Sequence, residues 1–279
     1  MKGQRTLFVD TETYSETDIK SAGAYKYMED PAFEILLLPF AWDDEPVRVL
    51  DLTDPDDLEE LPDIIAGLSD PDTVKVAHNA AFERYALWKH FGRRLPPEQW
   101  KDTMILAAQC GLPLNLAGVC DALNMGEDKA KMKEGKALIK YFCCPCKPTK
   151  VNGQRTRNFP EHDPEKWEVF RQYCIRDVDS EPLIKETLIR YEPSDTEHRF
   201  WCLDACINEN GIPFDPVLAK AAIQMDEENK AQLIEEAMAL TGLDNPNSVA
   251  QIKDWLREQE GIEVASLNKK AVADVVAQL

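Results

Sequence analysis

The stretch TLFVDTET, Thr6 to Thr13, decides how the rest of the chain is read. A short apolar run reaches two carboxylates two positions apart, Asp10 and Glu12. Side chains alternate between the faces of a strand, so residues i and i+2 share one face. A buried strand that ends this way delivers both acids to one spot at the edge of a sheet.

Working outward, FEILLLPFAW and PVRVLDL read as two further strands joined across the acidic turn Asp43, Asp44, Glu45. Asp56 to Leu68 has the pattern of an amphipathic helix. TVKVAHN, Thr73 to Asn79, is another buried strand, and it runs directly into the helix AAFERYALWKHFG, which Gly92 stops. Glu83 therefore stands one turn into a helix. Residues 102–110, 114–124 and 134–143 read as helical, and Pro145 to Pro160 reads as a loop. Asp163 and Pro164 open a helix in which Tyr173 and Asp177, from YCIRD, are i and i+4 and hence neighbours on one face. Pro182 is expected to kink that helix or to start a new one.

Strands first, then alternation with helices, predicts an α/β fold: a mixed sheet flanked by helices. After Tyr191 the pattern is helical throughout. SDTE at Ser194 to Glu197 is a capping box, NGIPFDP ends that helix and starts another at Asp215 and Pro216, and residues 247–260 and 267–279 are helical. The expected boundary lies near Glu192, giving 1–192 and an all-α 193–279.

The chain has 279 residues, 44% of them hydrophobic, enough for one large domain or two modest ones. No apolar run approaches the roughly 18 to 20 residues of a bilayer span, so no membrane partner is expected. The N-terminus enters a strand pattern at once rather than a signal peptide. Eight cysteines in no framework spacing point to a reduced, cytoplasmic protein. CCPC supplies one pair, Cys143 and Cys146; a structural zinc needs about four ligands, and the spacing of Cys110, Cys120 and His162 supplies no support for it. Cys202, Cys206, Tyr141 and Phe142 read as core, His78 as a packed strand-end residue, and Asp102 as a helix N-cap or a support for the acidic site.

Net charge is −19, which argues against a general nucleic-acid coat protein. The charge is polarised, however. Residues 129–157 hold nine bases, among them Lys129, Lys131, Lys133, Lys136, Lys140, Lys147, Arg155 and Arg157, against the single acid Glu134. Beside a site for nucleic acid, such a stretch is a candidate phosphate contact. Asp10, Glu12, Glu83 and Asp177 converging in one place would repel by several kcal/mol at low effective dielectric. Two hard divalent ions, Mg²⁺ or Mn²⁺, would remove that conflict.

In order and spacing, DTET, AHNAAFER and YCIRD resemble the three motifs of the DEDD 3′–5′ exonucleases, in the subclass with Tyr in the third motif. KDTMILAAQCGLPLNLAGVCDALNM, GKALIKYFCCPCKPTK and RNFPEHDPEKWEVFRQYC are similar to the proofreading domain of phage-type family A DNA polymerases, and FWCLDACINENGIPFD and NPNSVAQIKDWL to the connector and first thumb helices that follow it. The resemblance implies an RNase H-like domain that removes 3′-terminal nucleotides as 5′-monophosphates from single-stranded or frayed DNA ends. It implies that Asp10 bridges two ions, that Glu12 and Asp177 hold the one that activates water, and that Tyr173 orients that water. Asn79 is implied as a substrate contact, with Lys136, Lys140, Lys147, Arg155 and Arg157 as DNA-contact candidates. The second motif normally ends in Asp, whereas this chain has Glu83; if Glu83 plays the usual role, Asp is tolerated there. No palm or fingers motifs follow, so a monomeric piece of a longer polymerase, working in a bacterial or phage-infected cell and without polymerase activity of its own, is expected. The competing readings are a stand-alone RNA-trimming exonuclease and a non-catalytic DNA-binding module of the same fold.

Overall fold

A computed structural model describes residues 5–125 and 135–277; Lys129, Lys131, Lys133 and Glu134 of the basic stretch lie outside them. The chain divides into two compact units between Gly211 and Ile212.

The first unit is built on one mixed sheet. Strands β1 (Thr6–Val9) and β2 (Glu12–Tyr14) lie along one edge of β3 (Glu34–Trp42), and β4 (Arg48–Asp51) pairs with the other edge. The first edge keeps one register from β1 as far as Glu12: Val9 faces Phe40, the Asp10 amide donates to the Pro39 carbonyl at 3.1 Å, and Glu12 faces Leu37. β1 and β2 are thus one strand interrupted at Asp10 and Thr11, with a register shift after Glu12 that bends it. β5 (Val74–Ala77) runs parallel to β1, and β6 (Trp100–Asp102) parallel to β5. An antiparallel excursion on one side of β1 and parallel strands on the other make this an RNase H-like sheet.

Nine helices accompany the sheet among the described residues: α1 (Ile19–Ala22), α2 (Ala24–Met28), α3 (Leu61–Ser69), α4 (Ala80–Phe91), α5 (Thr103–Gln109), α6 (Leu116–Ala122), α7 (Gly135–Phe142), α8 (Pro164–Leu188) and α9 (Asp195–Asn210). Strand alternation sorts the core into two faces. Leu7, Val9, Leu38 and Phe40 pack with Ile64 and Leu68 of α3 and Ala86 and Leu87 of α4. Phe8 meets Val178 of α8, and Leu37 meets Trp167, Phe170 and Cys174 of α8 and Leu138 and Phe142 of α7. Asp10 and Glu12 follow the parity of Phe8, which turns them toward α8.

Pro182 does not start a new helix; it lies inside one continuous 25-residue helix. Val178 before it and Ile184 and Leu188 after it are buried, and that packing outweighs the ~3 kcal/mol an interior proline costs. The division at Gly211 puts α9 in the same compact unit as the sheet. The reason is an ion pair between Arg84 of α4 and Glu209 of α9, both 2% exposed, together with burial of Cys202 and Ala205. β6 was not separable from the helix after it in the sequence because it is three residues long.

The second unit comprises α10 (Pro216–Thr241), α11 (Val249–Gln259) and α12 (Lys269–Val276). Each opens on a side-chain cap, from Asp215, Ser248 and Asn268 respectively. Among the described residues no helix is long and apolar enough to cross a membrane.

Candidate metal centre

The interruption between β1 and β2 delivers the first acids. Carboxylate oxygens of Asp10, Glu12 and Asp177 all lie within 4.8 Å of one another, Glu12 buried and the other two half-buried. Asp177 comes from α8, whose Val178 packs on Phe8 and so holds the helix against β1. One turn earlier on α8 stands Tyr173, whose phenol feels the Asp177 charge. Tyr173 is set in place by Phe170, stacked 6.4 Å away, and by the close approach of Gly135.

Glu83 enters from the far side of the sheet edge. β5 ends at Ala77, and Asn79 takes a left-handed conformation (φ 73°) that starts α4. Asp102 fixes this junction by accepting from the Asn79 and Ala80 amides, each at 3.0 Å, while also capping α5 through Met104. Glu83 is 4% exposed, accepts a hydrogen bond from the Thr11 hydroxyl, and feels the charge of Asp10. It adjoins the tight set of three through Asp10 rather than standing within it.

Burial dominates the electrostatics. It pushes Asp10 up to about 6, opposed by hydrogen bonds from the Thr11 amide and with Glu83. It pushes Asp177 up to about 7, helped by the charge of Asp10 and opposed by Tyr173. Glu12 and Glu83 rise well above the usual carboxylate range, from burial first and then from neighbouring acids. Burial likewise raises the Tyr173 phenol, with Asp177 next. A cation binding the carboxylates would reverse these shifts. Hard oxygen donors converging with no basic partner among the described residues fit divalent-ion use.

Over 272 residues the chain is 48% identical to the DNA polymerase of Bacillus phage SP02. The chain is similar to a phage DNA polymerase. The match takes in 98% of this chain and 41% of that relative, so the chain spans about two fifths of the polymerase's length. No protein-family model matches. Solved structures with a related outline include Trypanosoma brucei RNase D (19% identity, TM-score 0.44, 67% of this chain and 58% of that one) and Escherichia coli RNase D, an exoribonuclease involved in structured RNA processing (20%, 0.34, 72% and 43%). Brucella melitensis NrnC with bound Mg²⁺ also aligns (16%, 0.33, 68% and 84%).

Within this polymerase-like chain the remaining candidates fall into two groups. Lys136, Lys140 and Lys147 are exposed and free to meet a polyanion. Arg155 and Arg157 already have partners: Arg155 donates to Asn158 of its own loop at 2.7 Å, and Arg157 pairs with Glu34 of β3 while lying 3.7 Å above the Tyr14 ring of β2. The Asn79 amide is held by Asp102. His78 is packed as expected, its ring nitrogens 3.0 Å from the Thr103 hydroxyl and 2.8 Å from the Leu114 carbonyl. Among the described residues, the group able to hold a cation contains no cysteine. Cys143 is buried with its thiol 3.9 Å from Glu12, whereas Cys146 lies 3.4 Å from the Arg155 carbonyl.

Sequence reasoning missed Glu181. It is 1% exposed, and burial followed by the charge of Asp10 raises its carboxyl well above the usual range. Its spacing carried a signal: positions 173, 177 and 181 form one stripe along α8.

Proposed function

We propose that this chain carries the 3′–5′ exonuclease of a phage-type DNA polymerase, with residues 193–279 forming a helical connector and the first thumb helices. The observation that carries the reading is the meeting of Asp10, Glu12 and Asp177 within 4.8 Å, with Tyr173 one helical turn from Asp177. The similarity to a phage DNA polymerase supports the polymerase context and a DNA substrate.

Asp10, Glu12, Asp177 and Glu83 would hold two divalent ions, Mg²⁺ or Mn²⁺. Such ions supply a nucleophile at neutral pH and stabilise the leaving 3′ oxygen. Tyr173, fixed by Gly135 and the stacked Phe170 ring, orients the attacking water rather than serving as a base, because burial keeps its proton on. Exposed Lys136, Lys140 and Lys147 attract the phosphate backbone of a single-stranded or frayed 3′ end. Mismatched ends fray at lower cost, which directs such an enzyme to proofreading.

The test is mass spectrometry of products from 3′-labelled single-stranded DNA and RNA, with and without Mg²⁺. Expected are 5′-mononucleotides from DNA only when the cation is present, and none from Asp10→Ala. Asp10→Ala cleaving at the parental rate would refute the assignment, and faster release from RNA would move the chain to the RNA-trimming reading.

A further inference from the structure

α8 places a further acid one turn beyond Asp177. The two Glu181 oxygens have different surroundings. Oε1 accepts a hydrogen bond from the His78 amide at 3.1 Å, tying α8 to the β5–α4 junction that aims Glu83. Oε2 is fully buried and has no hydrogen-bond partner among the described residues. An unmet buried carboxylate oxygen is costly to keep, on the order of 1–3 kcal/mol or more. Its setting makes the cost greater: Glu181 interacts unfavourably with Asp10, Asp102 and Asp177 and adds to the repulsion on Glu83. The His78 amide calls for one acceptor at this position, which a neutral side-chain amide would also supply, and not for a second, charged oxygen.

The unmet oxygen and the cation-binding carboxylates answer one another. We propose that Glu181 is a fifth carboxylate of the cation centre, acting from outside the direct donor set: Oε1 locks the His78 junction, and Oε2 accepts a hydrogen bond from the hydrated cation held on the Asp10 and Glu83 side. This rests on the cation-dependent reading of the same site. It also bears on the longer acid in the second motif, since Glu181 and Glu83 face the same charge and a cation near Asp10 would relieve both. Removing a carboxylate that supports a metal from outside its ligands typically costs 10–100-fold in affinity.

The experiment is calorimetric titration of the cation-free full chain with MnCl₂, in the parent and in Glu181→Gln. The Gln side chain keeps the shape and an oxygen for the His78 amide but removes the charge and one acceptor. The expected result is an Mn²⁺ Kd at least about tenfold weaker, with a cation-free melting temperature no lower than the parent's. Should the Gln protein fail to fold, Glu181→Asp, which withdraws the charge by one methylene, is expected to weaken Mn²⁺ as well. A parental Kd in whichever variant folds overturns the inference, as does a parent that binds no Mn²⁺. A parent that binds Mn²⁺ yet releases no nucleotides would sink the exonuclease reading while leaving Glu181 in place; an active parent beside a Gln variant of equal affinity would do the reverse.

Discussion

Gly135 lets α7 approach Tyr173 so closely that a Cβ at that position would lie 2.3 Å from the ring. The absence of a side chain at residue 135 therefore sets where the Tyr173 hydroxyl points. Gly135→Ala is expected to displace the ring beside Asp177 and to lower the exonuclease rate by about 100-fold, the order of loss for a misplacement of about 1 Å. Tyr173→Phe should lose a similar factor with the fold intact. A Gly135→Ala enzyme with the parental single-turnover rate would show that the hydroxyl position is not limiting.

The raised carboxylates make stability depend on pH and cation together. In the cation-free protein Asp10 titrates near 6 and Asp177 near 7, against 3.8 for a free Asp. Their protonated forms are favoured by folding, so the stability they contribute is fully present below about pH 4 and is lost as pH rises through 6 to 7. The melting temperature in EDTA should accordingly fall between pH 5 and pH 7.5, by an amount worth a few kcal/mol at order-of-magnitude level. Mg²⁺ or Mn²⁺ should restore it at pH 7.5 and do little at pH 4.5, where protons compete for the same oxygens. Scanning calorimetry at four pH values checks this; a melting temperature indifferent to cation at pH 7.5 would contradict it.

Much of this site was legible before the fold was known, for a geometric reason. Asp10 with Glu12 and Tyr173 with Asp177 are local pairs whose relation follows from strand and helix periodicity alone. What the sequence withheld is long-range or depends on partners. That Glu83 leans on Thr11 and Asp10 requires the strand interruption between β1 and β2, which no short pattern announces. Arg155 and Arg157 looked like phosphate contacts because composition does not reveal Asn158, Glu34 or Tyr14 as their partners. α9 looked separate from the sheet because a single pair 125 residues apart, Arg84 with Glu209, holds it there.

The Thr11 bond revises what is expected of Glu83. The resemblance alone implies that Asp is tolerated at this position, but a side chain one methylene shorter cannot keep the Thr11 bond from the same backbone. Glu83→Asp is expected to slow nucleotide release by about tenfold, Thr11→Val by somewhat less, and the double variant by little more than Glu83→Asp alone, since both remove one buried interaction. Single-turnover rates of the four proteins form the cycle. Strict additivity of the two losses would mean that Thr11 does not act through Glu83.

Glu209 offers a prediction away from the chemistry. Its carboxylate receives Arg84 on one oxygen and Arg94, at 3.1 Å, on the other, while Arg84 also donates to the Leu95 carbonyl. Breaking a buried pair from one side leaves the other charge uncompensated, at a cost of about 3–5 kcal/mol. Glu209→Ala should therefore lower the melting temperature steeply, because burial of Arg84 is then met only by Leu95. Replacing both partners, Arg84→Met with Glu209→Leu, should recover most of the loss, since apolar side chains of similar volume avoid the desolvation altogether. Arg84 follows Glu83 in α4, so Mn²⁺ affinity of the double variant is the discriminating readout. Unchanged affinity would assign the pair to joining α9 to the sheet, and weakened affinity would assign it to aiming Glu83 as well.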